Sequence, residues 1–411
     1  MSSPATSTPL PNDEGSRRLC ARHRLGLIAA TLAAAWISSR DATLGGIAAP
    51  EDLVPARRPS PAAAADTAPA FARGWISPSA HTPAAHGSAI CVVPGGDLLA
   101  VWYGGTREGA ADVAVFTARR PKGAQDWQAP QRVVDRAMAA GELERVVKKV
   151  GNAVVFPDHQ GVVWMVYVTV TVGGWSGSAL NVKTSADGGR TWSRSRRLNV
   201  NPFLNFSSLV RNKPILATDG RIGLPVYHEM AVKYPQMLWL SPGPDASVAE
   251  YRIRNFTTET DLIQPTLVPL DGDRVLMLLR DQSARRQVRA AYSDDNGWTW
   301  SDAVDCGLPN PDSALDALRL RDGRILLVYN DAPSGRENLR LAVSADQGRT
   351  WSPGPVIEAG AGREYSYPCL AEDRDGRIHL TYTWERRRIR HVEFNVAWLD
   401  QGSAARLARF P

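Results

Sequence analysis

The sequence predicts an all-β protein, folded as a six-bladed β-propeller. Two patterns support this prediction: one turn motif that recurs at a blade-like spacing, and a series of strand-turn-strand hairpins between its copies. The composition agrees, because 34 Gly, 29 Pro and 13 Trp among 411 residues are typical of many short strands joined by tight turns. With 44% hydrophobic residues, the chain is able to bury a large core.

The recurring turn reads S-x-D-x-G-x-T-W and begins at Ser185, Ser293 and Ser344. In such a turn the Asp carboxylate caps backbone N–H groups, the Gly takes a left-handed conformation and the Trp packs against the sheet. The last two copies lie about 50 residues apart and the first two about twice as far, so a repeat without the motif lies between them. A degenerate copy ends at Trp127. Repeats of this length with four strands each are propeller blades.

Six hairpins accompany these turns, each with apolar, β-branched runs on both sides of a Gly- or Asp-containing turn. Their turns lie at residues 95–97, 158–161, 219–220, 271–272, 322–323 and 375–376. We therefore expect one propeller domain over residues 73–400, followed by a short C-terminal tail at 401–411.

The N-terminal region has the layout of an export signal. Arginines at 17, 18, 22 and 24 precede an apolar run from Leu25 to Ile37, which small residues follow. At about 13 residues the run is short for a membrane-spanning helix. We expect residues 1–46 to be a cleaved signal or a membrane anchor, and 47–72 to be an Ala/Pro-rich linker. The protein would then be periplasmic or secreted, with possible anchoring to the inner membrane; the alternative is a buried helix of the domain.

Charge and cysteine content bear on the partners. A net charge of +6 suits an acidic glycan, but the basic residues are scattered rather than clustered, which disfavours nucleic acid. The four cysteines are far apart and form no CxxC pair, so neither a zinc site nor a dense disulfide framework is indicated. We expect no cofactor and no metal.

The S-x-D-x-G-x-T-W turns at this spacing resemble the Asp boxes of bacterial sialidases, and the resemblance extends over residues 73–400. It implies a site with three arginines for the substrate carboxylate, a tyrosine nucleophile with a glutamate base, and an aspartate acid on a mobile loop. Arginine binds a carboxylate bidentately, and a neutral tyrosine avoids the repulsion that an anionic nucleophile would meet.

The C-terminal half matches this pattern well. Arg336, before the third Asp box, resembles the third arginine of the family, and Tyr365 in the run Gly362–Ser366 resembles its tyrosine. Arg280, ahead of the second complete Asp box, resembles the second arginine. The resemblance implies that Arg280 and Arg336 bind the carboxylate and that Tyr365 is the nucleophile.

The N-terminal half departs from the pattern at the first arginine, where this chain has His86. An imidazolium is able to bind a carboxylate, but it has no guanidinium fork and is only partly charged at neutral pH. The loop from Gly104 to Asp112 resembles the one that holds the catalytic aspartate. Asp112 is therefore the candidate acid, and Arg107 in the same loop is a candidate substrate contact.

A second departure affects the base. Gln264 stands where the family has its glutamate, and an amide does not accept the tyrosine proton. Either another carboxylate serves, with Glu229 as the best candidate, or Tyr365 is not a nucleophile of the usual kind.

Three functions remain open on the sequence. The first is a glycoside hydrolase of the exo-α-sialidase type, which removes a terminal acidic sugar from glycans. The second is a propeller enzyme acting on another acidic polysaccharide, such as a uronate lyase in which His and Tyr side chains move protons. The third is a non-catalytic glycan-binding propeller.

Overall fold

The computed structural model describes residues 23–30, 33, 41–54, 68–76, 81–200, 205–230, 232–243, 247–257 and 259–401. Strands dominate this part of the chain. In chain order the first thirteen are β1 Ala42–Leu44, β2 Phe71–Trp75, β3 Ala84–Val92, β4 Leu98–Gly105, β5 Ala114–Arg120, β6 Gln131–Asp135, β7 Lys149–Pro157, β8 Val163–Val170, β9 Ser178–Ser185, β10 Arg196–Arg197, β11 Ser208–Val210, β12 Ile215–Leu216 and β13 Ile222–Glu229.

The remaining strands belong to the second half of the ring. They are β14 Lys233–Pro242, β15 Val248–Asn255, β16 Leu262–Pro269, β17 Val275–Asp281, β18 Gln287–Ser293, β19 Val304–Pro309, β20 Asp316–Arg319, β21 Ile325–Tyr329, β22 Asn338–Ser344, β23 Ser352–Ala359, β24 Tyr365–Glu372, β25 Ile378–Trp384 and β26 Arg388–Phe394. Short helices occur at Arg136–Leu143 and Val396–Gln401, with a 3₁₀ turn at Trp175–Gly177.

Within the described residues these strands form six antiparallel sheets, which are the blades of a β-propeller. Blade I is β3–β6, blade II is β7–β10, blade IV is β16–β19 and blade V is β20–β23. Blade III consists of β11–β15 with β1 added at its outer edge, and blade VI consists of β24–β26 with β2 as its outer strand. The predicted six-bladed propeller is confirmed.

Strands from both ends of the chain close the ring. Phe71 of β2 lies opposite Phe394 of β26, and Trp75 lies opposite Arg390, so blade VI combines an N-terminal strand with three C-terminal ones. This pairing joins the two ends of the propeller without a covalent bond.

The N-terminal boundary differs from the expected one. β1 lies in the segment expected to be a signal or anchor, yet it pairs with β15. Ile47 is buried in the cluster that contains Trp239, and Leu53 bridges to Ala217. Residues 41–54 therefore pack on blade III instead of forming part of a free linker, because β1 extends its sheet and the apolar side chains of Ile47 and Leu53 join a buried cluster.

Most of the predicted export segment lies outside the described residues. Residues 23–30 are helical and fully on the surface, with Leu25, Leu27 and Ile28 exposed, so this part is not the buried helix considered as the alternative. Among the described residues no helix is both long enough and apolar enough to cross a membrane.

The three Asp boxes connect the third and fourth strands of blades II, IV and V. In blade II, Asp187 Oδ1 accepts from the backbone N–H groups of Arg190 and Thr191, both at 2.9 Å, and Gly189 has φ +85°. In blade V, hydrogen bonds led by the Thr350 hydroxyl lower the pKa of Asp346 to about 2. The predicted turn chemistry is present. Five of the predicted hairpins connect the first and second strands of their blades, and the hairpin at 219–220 connects β12 to β13 in blade III.

Four of the inner strands contain a β-bulge, which determines the side chain that faces the centre of the ring. In blades I, II, IV and VI the pairing of the first two strands contains a bulge, and the bulged residue has a positive φ. These residues are Gly87, Asn152, Gln264 and Tyr367. A bulge turns the side chain of its extra residue away from the direction that regular alternation would give.

Candidate functional site

The candidate site is built around Tyr367, the bulged residue of blade VI. The guanidinium of Arg211 lies 5.1 Å from the centre of its ring and that of Arg336 lies 5.8 Å away. Arg280 also lies near this side chain, and its charge lowers the pKa of the Tyr367 hydroxyl. The three arginines come from blades III, V and IV, so residues far apart in sequence meet at the centre of the propeller.

Polar contacts hold two of the arginines in place. Arg280 Nε donates to Asp312 Oδ1 at 2.7 Å, and its Nη1 donates to Gln264 Oε1 at 2.9 Å. Arg336 Nη2 donates to the Asp312 carbonyl at 2.8 Å. Asp312 therefore fixes the spacing between Arg280 and Arg336.

Arg211 is buried and retains unused donors. Its Nη2 donates to the Pro368 carbonyl at 3.0 Å, whereas Nε and Nη1 have no hydrogen-bond partner among the described residues. A buried guanidinium with two free donors is suited to a carboxylate ligand. Arg211 was not predicted from the sequence. It lies in blade III, between blades II and IV, which have complete Asp boxes; blade III has no such motif that would mark the position of the arginine.

The arginines change the acidity of the central tyrosine. Burial alone would raise the pKa of Tyr367, but the charges of Arg280 and Arg336 outweigh it and lower that pKa below the usual value of a tyrosine. A phenol with a lowered pKa provides more phenolate near neutrality, which favours a role in nucleophilic attack or proton transfer.

Tyr365, the expected nucleophile, lies elsewhere. It begins β24 opposite Trp384 and packs in the apolar cluster with Leu370 and Tyr382. Its hydroxyl is close to Gly360, and burial raises its pKa. The expected convergence of Arg280 and Arg336 is present, but the tyrosine between them is Tyr367, because the bulge directs that side chain, and not Tyr365, to the centre.

His86 reaches the site as expected, but not with the expected charge. Its ring centre is 4.5 Å from that of Tyr367 and 5.7 Å from that of Tyr103. Burial, followed by the charges of Arg386 and Arg336, lowers the pKa of His86 well below its usual value. A neutral imidazole does not attract a carboxylate as an imidazolium would, so the third positive charge at the site comes from Arg211.

Gln264 lies beside the central tyrosine, in the position expected of the missing base. Its Nε2 donates to the Tyr227 hydroxyl at 3.3 Å, and Asn152 Nδ2 donates to the same oxygen at 3.2 Å. The Gln264 side chain also helps to lower the pKa of Tyr367. This buried amide network lies beside two tyrosines but contains no carboxylate.

Glu229, the alternative base, ends β13. Its carboxylate lies 3.3 Å from Lys233 Nζ, and its backbone N–H donates to the Ser207 hydroxyl. The tyrosine that its charge affects is Tyr227, whose pKa is raised first by burial and then by Glu229.

The loop after β4 does not present Asp112 to the site. The Asp112 carboxylate is exposed and accepts from the Thr106 backbone N–H at 2.8 Å and from its hydroxyl at 2.5 Å. These bonds lower the pKa of Asp112, which is the wrong direction for a general acid.

Glu108 is the residue of this loop that faces the site. Its Oε1 accepts from the Tyr103 hydroxyl at 3.3 Å, and its Oε2 lies 2.7 Å from Arg386 Nη1 and 4.0 Å from His86 Nε2. Glu108 lies in the same loop as Asp112, and nothing in the sequence indicates which of the two carboxylates faces the site.

A cavity of about 470 Å³ adjoins this carboxylate. Arg107 lies in its wall, as do Lys149 and Trp175, with Lys149 Nζ 4.1 Å from the indole ring. The cavity therefore has a basic rim beside an aromatic surface, which suits an acidic sugar.

A family model for the BNR repeat-like domain matches residues 96–380. The chain belongs to this family. The matched range begins just before β4 of blade I and ends within β25 of blade VI. It contains the three Asp boxes, so the repeats identified by their turns are those of the family.

Curated relatives are similar to this chain at low identity. A sialidase of Micromonospora viridifaciens is 26% identical over 349 residues, which cover 76% of this chain and 51% of that protein. The chain thus spans about half the length of this curated relative.

Solved sialidase structures share the fold. A Hadza microbial sialidase superposes with a TM-score of 0.66 at 17% identity, covering 80% of this chain and 69% of the other. The intramolecular trans-sialidase of Ruminococcus gnavus, in complex with oseltamivir carboxylate, superposes with a TM-score of 0.62 at 14% identity, covering 79% and 97%.

Proposed function

We propose that the chain is a glycoside hydrolase of the sialidase type, which removes a terminal acidic sugar from a glycan. The observation that carries the proposal is the placement of three guanidinium groups, from Arg211, Arg280 and Arg336, around Tyr367. Such a cluster is suited to a sugar whose reacting carbon bears a carboxylate, since the charges bind the acid while the tyrosine reacts.

Each residue then has a defined task. The arginines hold the carboxylate, and the Tyr367 phenolate attacks the anomeric carbon as the bond to the leaving oxygen breaks. Glu108 acts as the acid once bound substrate separates it from Arg386 and it has taken up a proton from solvent; it gives this proton to the leaving oxygen and later takes one from the water that hydrolyses the tyrosyl sugar. Gln264 orients Arg280 by accepting a hydrogen bond from its Nη1.

The test is turnover of a fluorogenic sialoside by the full chain, with Glu108→Gln as the diagnostic variant. If Glu108 is the acid, a substrate whose leaving group needs no protonation should be less affected by Glu108→Gln than a natural sialoglycan. Asp112→Asn is the matched control from the same loop, and it should retain activity. Failure of the wild-type chain to cleave any sialoside or other nonulosonic acid glycoside would refute the proposal.

A uronate lyase is the second candidate, and the state of His86 favours it. Burial keeps His86 neutral, and a neutral imidazole beside Tyr367 is able to take the proton next to a carboxylate that arginines have neutralised. Gln264 is no obstacle to this reaction. A lyase would release an unsaturated uronate, which is detected by its ultraviolet absorbance, whereas a hydrolase would not.

The third candidate, a non-catalytic glycan-binding propeller, would retain affinity without turnover. It is favoured if no acidic glycan is cleaved and if Arg336→Ala abolishes glycan binding while Tyr367→Phe does not.

We also propose export from the cytoplasm, on the basis of the arginines and the apolar run of residues 25–37. Fractionation of cells expressing the full chain, compared with a variant in which Leu27 and Ile28 are replaced by Asp, tests this. Retention of both proteins in the same compartment would contradict it.

A further inference from the structure

A second cluster of polar side chains lies on blade VI, away from the centre of the ring. His379 of β25 is the direct cross-strand partner of Glu393 in β26, and His391 precedes Glu393 by two residues. Because side chains two apart on a strand share a face, His391 and Glu393 point the same way and meet His379 there.

The spacing of the cluster matches that of metal ligands. His379 Nδ1 lies 3.3 Å from His391 Nε2 and 3.7 Å from Glu393 Oε2, and the three ligand atoms all lie within 4.8 Å of one another. Nitrogen ligands about 2.0–2.1 Å from a tetrahedral Zn²⁺ are roughly 3.3 Å apart. Small adjustments of the Glu393 side chain would complete the three-ligand set.

The surroundings orient these ligands as metal sites require. Asp373 Oδ2 lies 3.3 Å from His379 Nε2, which places the ring proton on Nε2 and leaves the Nδ1 lone pair facing His391 and Glu393. Both histidines are almost fully buried, at 1% and 4% exposure. Arg120 donates to Glu393 Oε2, the oxygen that also faces His379 Nδ1, so this arginine holds the carboxylate next to the two histidines.

The cluster opens on one side. His379, His391 and Glu393 line a surface cleft of about 880 Å³ between blades VI and I, together with Trp75 and Trp127. A fourth ligand, such as water or a polar group of a bound molecule, has room to enter from this cleft.

We propose that His379, His391 and Glu393 bind a divalent transition-metal cation of the Zn²⁺ class, with the fourth position open to the cleft. The site is separate from the one around Tyr367, since Tyr367 lies near the start of β24, whereas His379 pairs with the end of that strand. Cysteine spacing gave no indication of it because none of the ligands is a cysteine.

The experiment is titration of the full, metal-stripped chain with ZnCl₂ by calorimetry, and with CoCl₂ by visible absorption. We expect one equivalent of Zn²⁺ and intense visible bands of four-coordinate Co²⁺. His391→Gln should abolish both. Asp373→Asn should weaken Zn²⁺ binding by about 10–100-fold, because an amide donor at His379 Nε2 moves the ring proton to the ligating Nδ1.

His228→Gln is the matched control, because His228 is another buried histidine and belongs to blade III. This variant should bind Zn²⁺ as the wild type does. Circular dichroism establishes whether each variant is folded. If His391→Gln is unfolded, the comparison of the Co²⁺ bands of the wild type and Asp373→Asn tests whether the cluster binds the metal. Absence of a stoichiometric wild-type site, or equal affinity in the wild type and Asp373→Asn, would overturn the proposal.

Discussion

Replacing Gln264 by glutamate tests whether the missing base limits sialoside hydrolysis. The structure is suited to this exchange. Arg280 Nη1 lies 2.9 Å from Gln264 Oε1 and would form an ion pair with the new carboxylate. The Tyr227 hydroxyl, which now accepts a hydrogen bond from Gln264 Nε2, would instead donate one to this carboxylate. Asn152 would continue to donate to Tyr227, so no buried polar group loses its partner.

The expected gain follows from the position of the residue. Gln264 lies close enough to Tyr367 to affect the pKa of its phenol, so a carboxylate there would be placed to accept the tyrosine proton as the nucleophile attacks. A positioned general base is worth about 10²–10⁴-fold in rate. We expect Gln264→Glu to raise kcat for a fluorogenic sialoside towards this range, with a smaller change in KM.

Asn152→Asp provides the control. It introduces a carboxylate into the same network, but Asn152 hydrogen-bonds to Tyr227. We expect no increase in kcat from it. Steady-state rates and thermal unfolding are measured for both variants. An unchanged or reduced kcat in a Gln264→Glu protein that unfolds at the wild-type temperature would show that the missing carboxylate does not limit the reaction.

Three further outcomes are expected. Tyr367→Phe should lower kcat/KM by at least about 10²-fold, while Tyr365→Phe should leave it nearly unchanged; the reverse order would contradict the assignment. Arg211→Met should raise KM roughly 10–100-fold through loss of charge-assisted hydrogen bonds, with little effect on kcat, which substrate-saturation kinetics would check. Burial lowers the pKa of His228 to about 4, so its neutral form contributes stability that is lost as pH falls from about 6.5 towards 4. The His228→Gln variant should therefore show a flatter pH dependence of its unfolding free energy in denaturant titrations, and an identical slope would refute this.

Fold prediction succeeded because the features behind it are local. In the turn that begins at Ser185, the hydrogen bonds of the Asp187 carboxylate and the left-handed conformation of Gly189 involve only residues a few positions apart. The same holds for the hairpin turns. Closure of the ring by β2 was not predicted. The pairing of Phe71 with Phe394 requires strands more than 300 residues apart to meet, and no local sequence pattern indicates such a contact.

The sequence does not indicate whether Tyr365 or Tyr367 faces the arginines at the centre of the ring. The two residues are separated by one position, so regular alternation would place both on the same face of β24. The bulge between Ser366 and Cys369, with φ +54° at Tyr367, breaks that alternation. Which tyrosine faces the arginines is therefore a property of the bulge.

The residues of the chain were enough to predict the blades, their turns, and the presence of Arg280, Arg336, His86 and Gln264 in the candidate site. That Arg211 supplies the third guanidinium, and that burial keeps His86 neutral, became known from the packing of the blades. The physical reason is that turn geometry depends on neighbouring residues, whereas the charge and direction of a side chain at the centre of the ring depend on all the blades that surround it.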